Sequence, residues 1–226
     1  MTNEVREVLG GACVSEAAAS ATEEQKTGDE PAEDTVFLDD TWSFYFHDPH
    51  DSDWTLSSYT KVCNISSAND FWGVHNMINH SVGDGMFFLM REHVFPCWDD
   101  KYNINGGCLS IKVPKEAVAK TWQDLCVDML AEAMYAQAEG IATGDINGIS
   151  VSPKYNFSII KLWTAGQGMR EEAARPTLMR GNSFFRSNMD SLRGDQHAPL
   201  LPPPPLPLPG ADGGAAAGLL KSVATA

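Results

Sequence analysis

TWSFYFH, residues 41–47, alternates large apolar residues with smaller or more polar ones. A period of two is typical of a β-strand that has one face in the core. We expect Trp42, Phe44 and Phe46 to face that core and the residues between them to face away from it. The fold is therefore expected to start with a strand, once the chain has left its N-terminal segment.

Strand and helix patterns alternate along the chain after this stretch. Ser67 is predicted to cap a helix over about 68–80, and Asp70 at the third position favours its N-terminus. The longest helix is predicted over 116–139. Strands interleaved with only two or three helices indicate an α+β fold, a curved antiparallel sheet with helices on one face. The other strands are predicted at 59–65, 86–91, 107–113, 146–152 and 157–164, and the loop at Asn103, Asn105 and Gly106 has hairpin chemistry.

The two ends of the chain differ in composition from the middle. Residues 1–35 hold nine acidic and two basic side chains and no aromatic residue, so we expect them to be disordered. Residues 191–226 are rich in Pro and then in Gly and Ala, and are also predicted to be disordered. Their Pro-rich part is either a spacer or a ligand for an SH3-, WW- or profilin-like domain. One domain of 36–190 remains between them.

The composition also excludes several classes of function. A net charge of -14 argues against general attraction to nucleic acid, whether DNA or RNA, because phosphate binding needs clustered Lys and Arg. The five cysteines have no paired spacing, which favours reduced thiols in a cytoplasmic or nuclear protein. No apolar run approaches the roughly 20 residues of a membrane span. With no P-loop, GxSxG motif or zinc spacing, we expect no enzyme, no metal and no cofactor.

Two tryptophans lie in polar loops, outside the apolar patterns of the predicted strands and helices. Trp54 follows the polar loop 47–53, and Trp98 is followed directly by Asp99 and Asp100. Two indoles and an adjacent carboxylate suit a flat, electron-poor base that has donor groups on its edge. Guanine methylated at N7 is such a base, because it carries a delocalised positive charge. The alternative is that both tryptophans seal the ends of the core.

Trp72 gives a separate signal on the first predicted helix. Phe71, Val74 and Ile78 follow helical spacing and should face the core, whereas Trp72 is rotated by about 100° from Phe71. An exposed tryptophan on a polar helix face is typical of a protein interface. A second packing surface is the alternative.

Taken in order, these motifs resemble those of eukaryotic initiation factor 4E over roughly residues 36–165. That family fold is a cupped sheet of about eight antiparallel strands with about three helices on its convex face, which agrees with the α+β prediction. The motifs that carry the resemblance are Thr41-Trp42-Ser43-Phe44-Tyr45-Phe46, Trp54, Asn69-Asp70-Phe71-Trp72, Pro96-Cys97-Trp98-Asp99-Asp100, Gly106-Gly107, Trp122 with Glu132, and Ile160-Lys161-Leu162-Trp163-Thr164.

The resemblance implies binding of the 7-methylguanosine cap of mRNA. Trp54 and Trp98 match the pair that sandwiches the methylated base, and Trp163 matches the tryptophan that contacts the N7-methyl group. Asp99 stands where the family usually has a Glu that binds the guanine edge. Lys154 occupies the place of a phosphate-binding Arg.

The resemblance also implies a protein partner on the convex surface. Trp72 matches the residue that docks the YxxxxLΦ helix of the scaffold factor 4G and of its competing 4E-binding proteins. The residues that align near the same patch are Val36, Gln123, Val127 and Glu132.

At three ligand-binding positions the sequence differs from the family pattern. Asp99 is one methylene shorter than the usual Glu. Cys108 replaces a second phosphate-binding Arg, and Ile159 replaces a Lys. Lys161 shares a strand face with Trp163 and could substitute, since side chains two apart in a strand point the same way. Otherwise the phosphates would depend on C-terminal arginines, namely Arg170, Arg180 or Arg186.

Three functions therefore remain open from the sequence. The first is a cap-binding factor that recruits the translation initiation machinery. The second is a cap-binding repressor, or a divergent paralogue that does not recruit factor 4G. The third is an interaction module whose cap pocket is weakened by Asp99 and Cys108.

Overall fold

Seven antiparallel strands form one sheet in the computed structural model, which describes residues 35–134, 142 and 144–197. Their order across the sheet is β2-β1-β3-β5-β6-β4-β7. The strands are β1 (Phe37–His47), β2 (Tyr59–Ser67), β3 (Met86–Arg91), β4 (Gly107–Pro114), β5 (Ile146–Pro153), β6 (Phe157–Thr164) and β7 (Ser183–Ser187). The described α-helices are α1 (Ala68–Ile78), α2 (Val118–Leu130) and α3 (Asn188–His197).

The α+β fold class is confirmed, with seven described strands against the expected eight. Each strand predicted from the sequence is present within a few residues. The hairpin expected at Asn103, Asn105 and Gly106 is wrong, because β5 and β6 lie between β3 and β4 in the sheet. These residues instead form a structured loop whose buried member, Asn103, ties several segments together.

The first strand is buried on both faces, which its alternating pattern did not predict. Trp42, Phe44 and Phe46 join the large core beneath the helices, as expected. Tyr45 and His47 are buried as well, on the opposite face of the sheet. A second apolar cluster covers that opposite face, here called the open face, and comprises Tyr45, Met86, Phe88, Met90, Val94, Cys108 and Trp163.

The two long helices pack on the other side, here called the helix-covered face. Ser67 caps α1, since its side chain accepts from the Asp70 amide while the Asp70 carboxylate accepts from the Ser67 amide. The α2 helix is shorter than the predicted 116–139, because it ends at Leu130 and Glu132 has a φ of 54°. Residues 135–139 of the predicted helix lie outside the described part. No described helix has the length and apolar character needed to cross a membrane.

The C-terminal part of the described chain packs on both faces of the sheet, with Met169 and Met179 in the core beneath the helices and Leu192 of α3 at the open face. Three short 3-10 turns between Gly168 and Met179 precede β7, and Pro176 starts the last of them. The α3 helix follows β7 directly and continues to His197, beyond the expected domain limit at 190. The acidic segment 1–34 and the Pro-rich tail from 198 onward lie outside the described residues.

Candidate functional site

A cavity of about 500 Å³ opens on the open face of the sheet. Its lining brings together all six residues that the sequence assigned to ligand binding, although they come from four separate segments of the chain. These residues are Trp54, Trp98, Asp99, Lys154, Lys161 and Trp163. The size lies within the roughly 300–1,000 Å³ of typical small-molecule sites.

Trp54 stands at the mouth of the cavity with one indole face covered. The covered face stacks on the imidazole of His47, with ring centroids 4.3 Å apart and planes within 4°. His47 is itself fully buried, and its Nε2 donates to the Asp53 carbonyl at 2.8 Å. Because Trp54 remains 55% exposed, its second face is available to a flat ligand. Sequence reasoning missed His47 as a support for Trp54, although its place in the β1 alternation marked its side of the sheet.

Trp98 is half-buried in a loop that a single amide side chain fixes. The Asn103 Nδ2 donates to the carbonyls of Phe95 and Cys97, both at 2.9 Å. Its Oδ1 accepts from the Asn147 amide at 2.9 Å, which ties the loop to β5. The loop before Trp98 is therefore held by hydrogen bonds inside the protein, and Asn103 is fully buried.

Asp99 projects at the cavity rim next to the Cys97 thiol. Burial raises the pKa of Cys97 to about 12, and a hydrogen bond to Asp99 together with its charge adds to this shift. The thiol thus stays protonated and can donate to the carboxylate. Asp99 is exposed and remains able to accept from a ligand. Among the described residues, no group of three or more His, Cys, Asp or Glu side chains could hold a metal ion.

Trp163 forms part of the cavity floor and is only 3% exposed. Its Nε1 donates to the Ser150 hydroxyl at 2.9 Å, which fixes the indole plane. Tyr59 and Phe88 pack edge to face beside it in the same lining, 5.4 Å apart. Burial raises the pKa of Tyr59 far above its usual value, so this wall of the cavity is uncharged.

Lys154 and Lys161 supply the positive charge of the lining. The ammonium of Lys161 lies over the Trp98 indole, 5.6 Å from the ring centroid. Cys108 is buried, and its thiol donates to Asn188 Oδ1 at 3.4 Å, so it faces α3 instead of contributing to the cavity wall. Among the described residues the lining contains no arginine, and the C-terminal arginines considered as substitutes, Arg170, Arg180 and Arg186, are not part of it.

A second cavity, of about 470 Å³, lies on the helix-covered face. Three of the residues predicted for partner binding line it, namely Trp72, Gln123 and Val127. Trp72 is 39% exposed, and its indole packs edge to face against Phe71 at 5.1 Å. The rest of the lining, which the sequence did not single out, is Asp124, Asp128, Thr177 and Leu178. We call this set the α1–α2 groove.

The remaining two predicted partner residues lie outside the α1–α2 groove. Val36 is exposed, and its carbonyl accepts from the Ala68 amide at the start of α1, at 2.8 Å. Glu132 lies past the end of α2. Leu178 was missed because it comes from the region where the sequence resembles the family poorly, and it is 50% exposed. His75, one turn along α1 from Trp72, is buried and packs edge to face against the Trp72 indole, with ring centroids 5.6 Å apart.

Comparison with known proteins identifies the family to which this sequence is similar. The family model for eukaryotic initiation factor 4E matches residues 37–180. The chain is 27% identical over 148 residues to eukaryotic translation initiation factor 4E-1 of Arabidopsis thaliana, covering 62% of this chain and 59% of the relative. It is 28% identical over 162 residues to factor 4E allele Eva1 of Solanum etuberosum, covering 69% and 66%. The chain thus spans about three fifths of the Arabidopsis relative's length.

Solved structures give the same fold. A complex of C. elegans eIF4E-3 with the 4E-binding protein Mextli and a cap analog matches with a TM-score of 0.59 at 18% identity, covering 70% of this chain and 96% of that one. Ascaris suum eIF4E-3 with the m2,2,7G cap matches with a TM-score of 0.51 at 21% identity, covering 59% and 75%. Since the family model spans more than half of the sequence, the chain belongs to the eukaryotic initiation factor 4E family.

Proposed function

We propose that this protein binds the 7-methylguanosine cap of mRNA, with the base stacked between Trp54 and Trp98. The observation that carries the proposal is that these two indoles line one cavity together with the carboxylate of Asp99. The free face of Trp54 receives one side of the base, while Trp98 receives the other. The floor tryptophan, Trp163, then lies where the N7-methyl group would enter.

Energetics favour the methylated base over plain guanine. Stacking on an aromatic side chain contributes roughly 1–3 kcal/mol per base. The positive charge of the methylated ring adds a cation–π attraction of about 2 kcal/mol where water is excluded. Asp99 accepts from the base N1–H and the exocyclic amino group, each bond to a charged partner being worth about 1.5–3 kcal/mol. Unmethylated guanine keeps the stacking but loses the cation–π contribution.

In this proposal the two lysines of the lining bind the phosphates of the cap. Lys154 stands where the family has an Arg, and Lys161 supplies a second charge from the strand that carries Trp163. Because lysine is a point charge and arginine a bidentate donor, this grip is expected to be weaker than one built on two arginines. The buried Cys108 thiol adds nothing to it.

We further propose that the α1–α2 groove docks a helix from factor 4G or a 4E-binding protein of the YxxxxLΦ type, through which the protein recruits the initiation machinery. Trp72, Val127 and Leu178 give the groove an apolar floor suited to helix anchors. Asp124 and Asp128 make its rim acidic, which favours a partner helix with basic residues beside the anchors. One similar structure is a complex of C. elegans eIF4E-3 with the 4E-binding protein Mextli.

One experiment tests both surfaces with variants that serve as each other's controls. Titration of 7-methyl-GTP should quench the tryptophan fluorescence of wild type and of Trp72→Ala, but not of Trp98→Ala. A fluorescent YxxxxLΦ peptide should bind wild type and Trp98→Ala, but bind Trp72→Ala at least tenfold more weakly. Saturable quenching of the Trp98→Ala variant would refute the base sandwich. Equal peptide affinity for wild type and Trp72→Ala would refute the partner site.

The same titrations separate the alternatives. A cap-binding repressor or non-recruiting paralogue would bind 7-methyl-GTP but not a factor 4G peptide. An interaction module with a weakened pocket would bind the peptide and fail to bind the nucleotide.

A further inference from the structure

Lys161 occupies an unusual position in the proposed cap site. It lies on β6 opposite Ser150 of β5 and Ser110 of β4, so it stands in the middle of the sheet. Its side chain is half-buried and reaches across the cavity until the ammonium lies over the indole of Trp98, 5.6 Å from the ring centroid. An ammonium within about 6 Å of an aromatic ring is attracted by it.

This contact has the same physical nature as the one proposed for the ligand. A methylated guanine is held on Trp98 by the attraction between a positive charge and the indole face, and Lys161 already makes that attraction with its own charge. In the part of the chain that the structure describes, the ammonium takes part in no hydrogen bond or ion pair. Its close neighbours there are the ring and the Cys108 thiol, which burial keeps protonated, so an anionic partner can draw it away.

Two cations cannot share one face of Trp98. A positively charged base that enters the cavity must displace the Lys161 ammonium or meet it at close range, and both cost free energy. A phosphate chain attached to the base reverses this balance, because it offers the displaced ammonium charge-assisted hydrogen bonds. Of the residues that the structure describes, the only other basic one in the lining is Lys154, which is exposed on the turn after β5.

We propose that Lys161 is a specificity-determining residue with two positions, over Trp98 in the empty site and on the ligand phosphates in the filled one. This inference rests on the proposed function and deepens it. In the empty protein Lys161 acts as an internal competitor for the base. In the complex Lys161 binds the ligand phosphates and so raises the affinity for phosphorylated ligands. The site therefore selects methylated guanine nucleotides with a phosphate chain over the bare nucleoside.

Removal of the Lys161 charge should therefore have opposite effects on two ligands. Lys161→Met keeps the length and most of the volume of the side chain. By calorimetry, it should bind 7-methylguanosine about two- to fivefold more tightly than wild type, because the competitor is gone. It should bind 7-methyl-GTP at least about fivefold more weakly, because a charged partner of the phosphates is gone.

A matched control is available on the neighbouring strand. Lys112 also places its ammonium over an aromatic ring, that of Phe157 at 5.2 Å, but it lies outside the cavity lining. Lys112→Met removes the same charge and should leave both affinities within about twofold of wild type. Weakening of both ligands by Lys161→Met, or no change in either, would overturn the two-position proposal while leaving cap binding intact. Failure of wild type to bind 7-methyl-GTP would overturn both.

A second measurement needs no ligand. An indole shields protons above its face, so the ε-methylene protons of Lys161 should resonate upfield of those of a lysine such as Lys120, which pairs with Asp124, in proton–carbon correlation spectra. Their signal is assigned by its loss in Lys161→Met, and it should return to the ordinary lysine position in Trp98→Ala. An ordinary lysine shift in the free wild-type protein would contradict the position over Trp98.

Discussion

Replacement of Asn103 by Ala should both destabilise the protein and loosen the Trp98 loop. The change removes three side-chain hydrogen bonds, two to the carbonyls of Phe95 and Cys97 and one from Asn147. At about 1 kcal/mol for each bond, the free energy of unfolding should fall by about 3 kcal/mol. With a denaturant slope of about 2 kcal/mol/M, the urea midpoint should shift by about 1.5 M.

The neighbouring Asn105 gives the matched control for this prediction. Its side chain is exposed, and only its backbone carbonyl is hydrogen-bonded, to Gln167. Asn105→Ala should therefore move the urea midpoint by less than about 0.3 M. Under conditions where Asn103→Ala remains folded, its affinity for 7-methyl-GTP should also fall. Equal midpoints for the two variants would refute the role of Asn103 in holding the loop.

Three further changes test other parts of the account. Burial raises the pKa of Asp70, but hydrogen bonds from Ser66 and Ser67 outweigh this and lower it overall. The ionised group therefore stabilises the fold above its unfolded pKa of about 4, and the stability gap between wild type and Asp70→Asn in urea melts should shrink below that pH. His47→Ala removes the ring behind Trp54 and should weaken 7-methyl-GTP binding about tenfold by calorimetry, whereas His47→Phe should bind nearly as wild type. Leu178→Asp should weaken YxxxxLΦ peptide binding at least tenfold in fluorescence anisotropy. The same change at Phe184, which is also exposed but lies outside the groove lining, should not.

Much of the fold could be predicted because local patterns and tertiary packing agree. The apolar alternation in β1 and the Ser67 cap of α1 each satisfy a local rule, and the apolar residues of β1 and of the long helix α2 also face the core. Trp54, Trp98 and the adjacent Asp99 could be singled out by type and setting, as two large aromatics in polar loops with a carboxylate beside one of them, whereas Trp163 and Lys154 followed only from the resemblance to the family. The cavity then brings them together.

Other features could not be predicted because they depend on contacts between distant segments. The burial of His47 and Tyr45 on the open face requires the loops at Trp54 and Trp98 to fold over that face. Asn103 sits in a sequence typical of a turn, yet its side chain bonds to segments 6 to 44 residues away. Leu178 lies in the last of several short turns that have no periodic pattern.

The central claim is that two indoles bind a positively charged base, and the ratio of two dissociation constants tests it most directly. Calorimetric titration of wild type with 7-methyl-GTP and with GTP compares ligands that differ in one methyl group and one positive charge. A cation–π contribution of about 2 kcal/mol predicts that 7-methyl-GTP binds about 30-fold more tightly. Equal affinities for the two nucleotides would contradict the sandwich between Trp54 and Trp98.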